Sequence, residues 1–176
     1  MKKLIGLYSS APGSGKSTVA LMLQDHKTIS FADPLKSLVS EVLSNLGHDG
    51  TELVYNQKEV GLPDIGVSPR HMMQTLGTEW GRACIHPGIW VMLAEAKAKK
   101  LLDDNKKVVF DDVRFPNEVE MIRRLGGEIW FVNRPGVTYD GEHSSEGALT
   151  EIVPDAFINN SGTYHQLSNA VKCFSV

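Results

Sequence analysis

The chain has 176 residues, 41% of them hydrophobic and 22% charged, with a formal net charge of −3. That length carries one domain with a sizeable core and is short for two; no run approaches the roughly 20 apolar residues of a membrane span. A slight acidic excess argues against binding polymeric nucleic acid, which asks for a basic surplus, and Cys84 and Cys173 lack metal or redox spacing, so they read as free thiols in a reducing cytoplasm.

In chain order, Met1-Lys2-Lys3 precedes an apolar stretch that breaks at Ser9-Ser10, so no secretory signal is expected. Leu4 to Tyr8 reads as a strand, followed at once by Ser10-Ala11-Pro12-Gly13-Ser14-Gly15-Lys16-Ser17. This fits the phosphate-binding loop pattern except at its first position, where Ser10 replaces the usual small residue. Gly13 and Gly15 let backbone N–H groups turn inward around phosphate oxygens. Lys16 supplies a point charge to the β- and γ-phosphates, and the Ser17 hydroxyl is a ligand for Mg²⁺. The helix predicted over Lys16 to Gln24 aims its positive end at the same anion. With Ser14 and Thr18, these residues form the expected nucleotide-binding set, for ATP with Mg²⁺. Ser10 lies outside the cradle itself.

Thr28 to Phe31 reads as a strand and Pro34 to Leu46 as a helix, whereas Gly47 to Ser68 resists assignment and reads as a mobile insertion. Ser68-Pro69 then makes a helix start, N-cap followed by N1. At about 100° per residue, Arg70, Gln74, Thr78 and Arg82 form one polar stripe, with Met73, Leu76 and Trp80 opposite. Gly77 is the residue able to interrupt that alignment. A helix over Ile89 to Leu102 carries Trp90 beside Leu93 and Ala94, which fits a core residue as well as a base-stacking one.

Val108 to Asp111 is a strand ending in two carboxylates, Asp111 and Asp112. Alternation turns only one of them to a metal, and Asp112 is preferred. Helix Asn117 to Leu125, strand Glu128 to Val132, the polar lid-like segment Arg134 to Ser144, helix Ser145 to Glu151, strand Ala156 to Ile158 and helix Tyr164 to Phe174 complete the chain. Strands alternating with helices imply an α/β, three-layer P-loop NTPase fold, with a central parallel sheet of about five strands and helices on both faces.

Several further stretches, "FADPLK" (31–36), "RHMMQTLGTEWGR" (70–82), "HPGIWV" (86–91), "DVRFPNE" (112–118) and "NRPG" with "HSSE" (133–146), share an order and spacing that resembles the deoxynucleoside monophosphate kinases of tailed bacteriophages. The resemblance covers nearly the whole chain. It implies transfer of the γ-phosphoryl group of ATP to a deoxynucleoside monophosphate, within one domain (1–176) bearing an acceptor-binding insertion (about 33–90) and a lid (about 134–145). By the resemblance, Lys36, Arg70, Gln74, Trp90, Asp112, Arg114 and Glu118 line the acceptor site and Asp33 borders it; Thr78, Glu79 and Arg82 belong to the same motif. Arg134 and His143 flank the lid, while Asn160 and Gly162 lie where related kinases place the donor adenine. The implied setting is the cytoplasm, that of the host for a phage-encoded chain; the assembly state stays open, a homodimer included.

Physical chemistry favours the same acceptor. A phosphomonoester carries nearly two negative charges, so its oxygen needs neutralisation more than a general base. Arginine forks supply that neutralisation, whereas a hydroxyl acceptor would depend on a carboxylate base. The rival readings are a different small-molecule kinase, such as a dephospho-coenzyme A kinase, and a nucleotide-dependent switch. The latter would need an Asn-Lys-x-Asp segment of the guanine-reading type, which the sequence lacks.

Overall fold

The computed structural model describes residues 3–137 and 152–174. The predicted helix Ser145–Glu151, His143 and most of the lid segment lie outside them. The described chain divides into two compact units, one formed by residues up to Ser30 and from Ala94 onward, the other by Phe31–Leu93.

The first unit is built on a five-stranded parallel sheet: β1 (Leu4–Tyr8), β2 (His26–Ile29), β3 (Lys107–Phe110), β4 (Glu128–Asn133) and β5 (Ala156–Asn159), in the order β2-β3-β1-β4-β5. Parallel neighbours need crossovers, and helices supply them. α1 (Lys16–Met22) and α7 (Tyr164–Phe174) cover one face, where Val19, Ala20, Leu167 and Val171 pack on Ile5, Leu7, Val109, Trp130, Val132 and Ile158. The alternation of β1 sends Leu4 and Gly6 to the other face. There α6 (Pro116–Arg124) approaches so closely that a Cβ at Gly6 would lie 2.6 Å from Ile122 Cδ1. Both faces of β1 are therefore apolar and all five of its residues are buried. The helix-clad parallel sheet is the one expected from the alternation of elements, with strand bounds shifted by one or two residues.

The second unit has a small core of its own. Val39 and Leu43 of α2 (Asp33–Asn45) meet Leu53 and Val54 of α3 (Gly50–Tyr55), with Leu62, Ile65 and residues of α4 (Pro69–Thr75). The stretch read as an unassigned insertion thus contains a helix. Asp49 caps α3 by accepting from Glu52 N at 2.9 Å, and Leu62 closes a turn by accepting from Gly66 N at 2.7 Å. After α4 the chain continues as a π-helix, Leu76–Ile85, and α5 (Ile89–Asp103) starts in this unit and ends in the first. Among the described residues no helix is long and apolar enough to cross a membrane.

Gly50 sets the approach of α3 to α2: an added Cβ would stand 2.1 Å from the Ser40 carbonyl oxygen and 2.7 Å from Ser44 Oγ. Backbone cannot yield as a side-chain tip does. Gly50→Ala is expected to cost about 1–3 kcal/mol of stability, read from urea unfolding followed by circular dichroism; an unchanged midpoint would contradict the close approach.

Candidate active site

All five strands run the same way, so their carboxyl ends share one edge, and ligands of open α/β sheets bind at that edge where the strand order reverses. Here the reversal is at β1, whose neighbours are β3 and β4. The segment leaving β1 is the glycine-rich loop. Gly13 has φ +78° and Gly15 φ +101°, the left-handed region that side chains avoid. At Gly13 a Cβ would meet nothing within 4 Å, so backbone conformation alone demands glycine there. Lys16 Nζ donates to Ser9 Oγ at 2.5 Å, and Ser9 Oγ donates to the Ala11 carbonyl at 2.9 Å, so the lysine is held over its own loop. Ser14 is 2% exposed, and its hydroxyl has no hydrogen-bond partner. Ser17 is exposed and Thr18 partly so, at the start of α1. Ser10 is exposed and makes no claim on the cradle.

Neighbouring strand ends add charge. Asp111, just past β3, accepts from Ser30 Oγ at 2.6 Å, which ties it to the end of β2. Asp112 follows, partly buried. Arg114 is exposed, and its backbone N–H donates to Glu118 Oε2 at 2.7 Å; Phe115 N donates to the same oxygen at 3.1 Å. Glu118, which the resemblance places in the acceptor site, here caps a helix. It is 2% exposed, and its carboxylate satisfies the backbone at the start of α6. Past β4, the exposed Arg134 donates through Nη1 to the Gly13 carbonyl at 3.4 Å. Past β5, Asn160 Nδ2 donates to the Ser14 carbonyl at 2.9 Å. Gly162 has a packing reason: a Cβ would lie 2.2 Å from Gln166 Oε1, which accepts from Thr163 N in the cap of α7.

In the second unit the predicted single helix from Pro69 to Arg82 is α-helical only to Thr75 and π-helical from Leu76. Of the predicted polar stripe, Arg70 and Gln74 thus fall on α4 and Thr78 and Arg82 on the π-helix. Trp80, expected on the apolar face, is 48% exposed. Gln74, Thr78 and Glu79 are exposed and Arg82 partly so. Trp90 lies behind the π-helix, its indole packed against Gly81 so tightly that a Cβ there would lie 2.3 Å from the ring. The Trp90 Nε1–H donates to the Gly77 carbonyl at 2.8 Å. Trp90 is 3% exposed and packs against the helix as a core residue. Arg70 is better placed: its side chain, partly exposed, pairs with Glu59, and its backbone N–H donates to the Lys58 carbonyl at 2.8 Å. Lys36 lies 5.0 Å from the centroid of the Tyr55 ring, and Asp33 opens α2, partly buried.

Sequence reasoning missed three partners, Ser9 for Lys16, Ser30 for Asp111 and Glu59 for Arg70. The serines lie beside predicted motifs and were within reach of inspection. Glu59 sits in the stretch whose path was unreadable.

Residues 51–171 match the deoxynucleotide monophosphate kinase family. A relative from Acanthamoeba polyphaga mimivirus, named for the same activity, is 35% identical over 189 residues, 97% of this chain and 95% of that protein. The chain belongs to the deoxynucleotide monophosphate kinase family. The deoxynucleoside-5'-monophosphate kinase of Escherichia phage T5 is 44% identical over 72 residues, which is 41% of this chain and 28% of the phage protein. A solved dephospho-CoA kinase from Campylobacter jejuni shares the fold, with TM-score 0.51 and 15% identity over 99% of this chain and 96% of that one. Family membership makes the chain a kinase of deoxynucleoside monophosphates and implies ATP as donor.

Trp90→Phe removes the indole donor and some volume behind the π-helix. It is expected to lower stability by about 1–3 kcal/mol, measured as a fall in the thermal midpoint; an unaltered midpoint would mean the Gly77 bond carries no weight.

Proposed function

We propose a division of labour in the kinase reaction. The first unit holds MgATP through Gly13, Ser14, Gly15, Lys16, Ser17 and Thr18, and the second takes up the phosphate of the deoxynucleoside monophosphate through Arg70. The observation that carries this reading is the phosphate loop itself, with two glycines at positive φ and a lysine held over it. Arg134, touching that loop, would follow the charge of the transferring phosphoryl group, and Arg114 would add a second guanidinium on the same unit.

Lys36, Gln74, Thr78 and Arg82 supply further polar groups on the second unit. Mg²⁺ takes oxygen ligands, usually one or two from protein with phosphates and waters. The Ser17 hydroxyl and the Asp112 carboxylate are donors of that kind. When bound, the ion would neutralise phosphate oxygens; Ser17 and Asp112 would hold it.

The acceptor phosphate is already a nucleophile, so these side chains act by binding, aligning and neutralising rather than by removing a proton. Arg70 fits the task because its guanidinium binds phosphate oxygens in pairs. It begins engaged with Glu59, which a dianionic phosphate must replace.

Lys16→Ala is expected to abolish phosphoryl transfer with an unchanged circular dichroism spectrum; retained turnover would remove the loop from the reaction. Arg70→Ala is expected to weaken use of the acceptor by about 1.5–3 kcal/mol in kcat/KM, and Glu59→Gln to lower the KM for the monophosphate. Steady-state rates over a range of monophosphate concentrations decide both. Equal KM values in wild type and Glu59→Gln would show that Arg70 meets no acceptor phosphate.

A further inference from the structure

Asn160 stands at the carboxyl end of β5, where its backbone N–H donates to the Asn133 carbonyl at 2.7 Å and so extends the pairing with β4. The position of the residue is thereby set by the sheet. Its side chain reaches back 146 positions in sequence and donates from Nδ2 to the Ser14 carbonyl at 2.9 Å. The amide rests directly on the loop: a Cβ at Gly15 would stand 2.5 Å from that same nitrogen. Gly15 is therefore excluded from carrying a side chain on two counts, its φ of +101° and the presence of the Asn160 amide.

This contact has a directional consequence. The peptide joining Ser14 to Gly15 is planar and trans, so its carbonyl and its N–H point to opposite sides. Fixing the Ser14 oxygen on Asn160 fixes the Gly15 N–H toward the other side. That N–H belongs to the glycine-rich turn whose donors cradle phosphate. We propose that Asn160 is a positioning residue of the phosphate loop: its amide holds the Ser14–Gly15 peptide in the orientation that presents the Gly15 N–H to the triphosphate. The role rests on the reading that this loop binds the triphosphate. It is a different role from the one the resemblance implies, a place beside the donor adenine, since one of the two amide hydrogens is committed to the loop.

An isosteric change separates these roles. Asn160→Asp keeps shape but replaces the donor with a carboxylate oxygen facing the Ser14 carbonyl, so it repels where asparagine attracts. Asn160→Ala removes the contact without repulsion. Binding of ATP and of inorganic tripolyphosphate, which has no base, is measured by calorimetry for both variants, alongside KM for ATP and for the monophosphate. Loss of one hydrogen bond that orders the loop is expected to weaken both ligands by about tenfold in Asn160→Ala, with Asn160→Asp weaker still and the KM of the monophosphate unmoved.

Wild-type affinities in both variants would overturn the proposal. So would a loss confined to ATP with tripolyphosphate unaffected, which would return Asn160 to the base. Should Asn160→Asp fail to fold, the two ligands compared in Asn160→Ala decide alone. Lys16→Ala serves as the reference. If it leaves tripolyphosphate binding intact, the loop is not the triphosphate site and both readings fall; if it abolishes binding while the Asn160 variants bind normally, only the role of Asn160 falls.

Discussion

Left-handed conformations let successive backbone N–H groups turn toward one anion, and here Gly13 and Gly15 permit them. The remaining architecture of the first unit serves that turn. β1 is buried on both faces, so the loop leaves from a rigid strand in the middle of the sheet. Because every neighbour is parallel, Ser30, Asp111, Asp112, Arg134 and Asn160 all follow strand ends on the same edge. Antiparallel neighbours would have placed half of these residues at the far end. Sheet direction, more than any single contact, brings residues as distant as Ser14 and Asn160 into hydrogen-bonding range.

Much of the first unit was legible because its signals are local and redundant. Short apolar runs bounded by turns mark strands, and the loop motif needs no tertiary knowledge. The second unit was harder. α3 is a six-residue helix, too short for periodicity to reveal, although Asp49 and Glu52 carry a cap signature. The helix after Ser68 starts where Ser and Pro predict and turns π-helical at Leu76, where Trp90, from a different helix, lies against Gly81 and Gly77. No window on residues 69–82 contains that contact. Likewise the sequence does not show that Glu118 and Trp90 are buried, the one capping α6 and the other bonded to the Gly77 carbonyl.

Those supporting tasks bear on preorganisation. Glu118 orders the backbone at Arg114 and Phe115, and the cap lets an exposed arginine leave from a fixed peptide. Trp90 plays the equivalent part behind the π-helix. Neither side chain needs to touch a substrate to matter, since a misplacement of a charged group by a fraction of an ångström weakens transition-state stabilisation. Glu118 and Trp90 are buried, whereas Arg114 and Arg134 are exposed.

The resting partners of the cations also differ in kind, and the difference has consequences for selectivity. Arg134 rests on a carbonyl, a neutral group that an incoming polyphosphate replaces at little electrostatic cost. Arg70 rests on the carboxylate of Glu59. A ligand there must offer more negative charge than one exposed carboxylate, or a better fit to the guanidinium fork. A phosphomonoester dianion meets both conditions; a neutral nucleoside meets neither. In the proposed acceptor role, Glu59 thus acts as a threshold: it leaves Arg70 ordered when no substrate is bound, and it makes a phosphate group, rather than a sugar or base, the part of the ligand that gains entry.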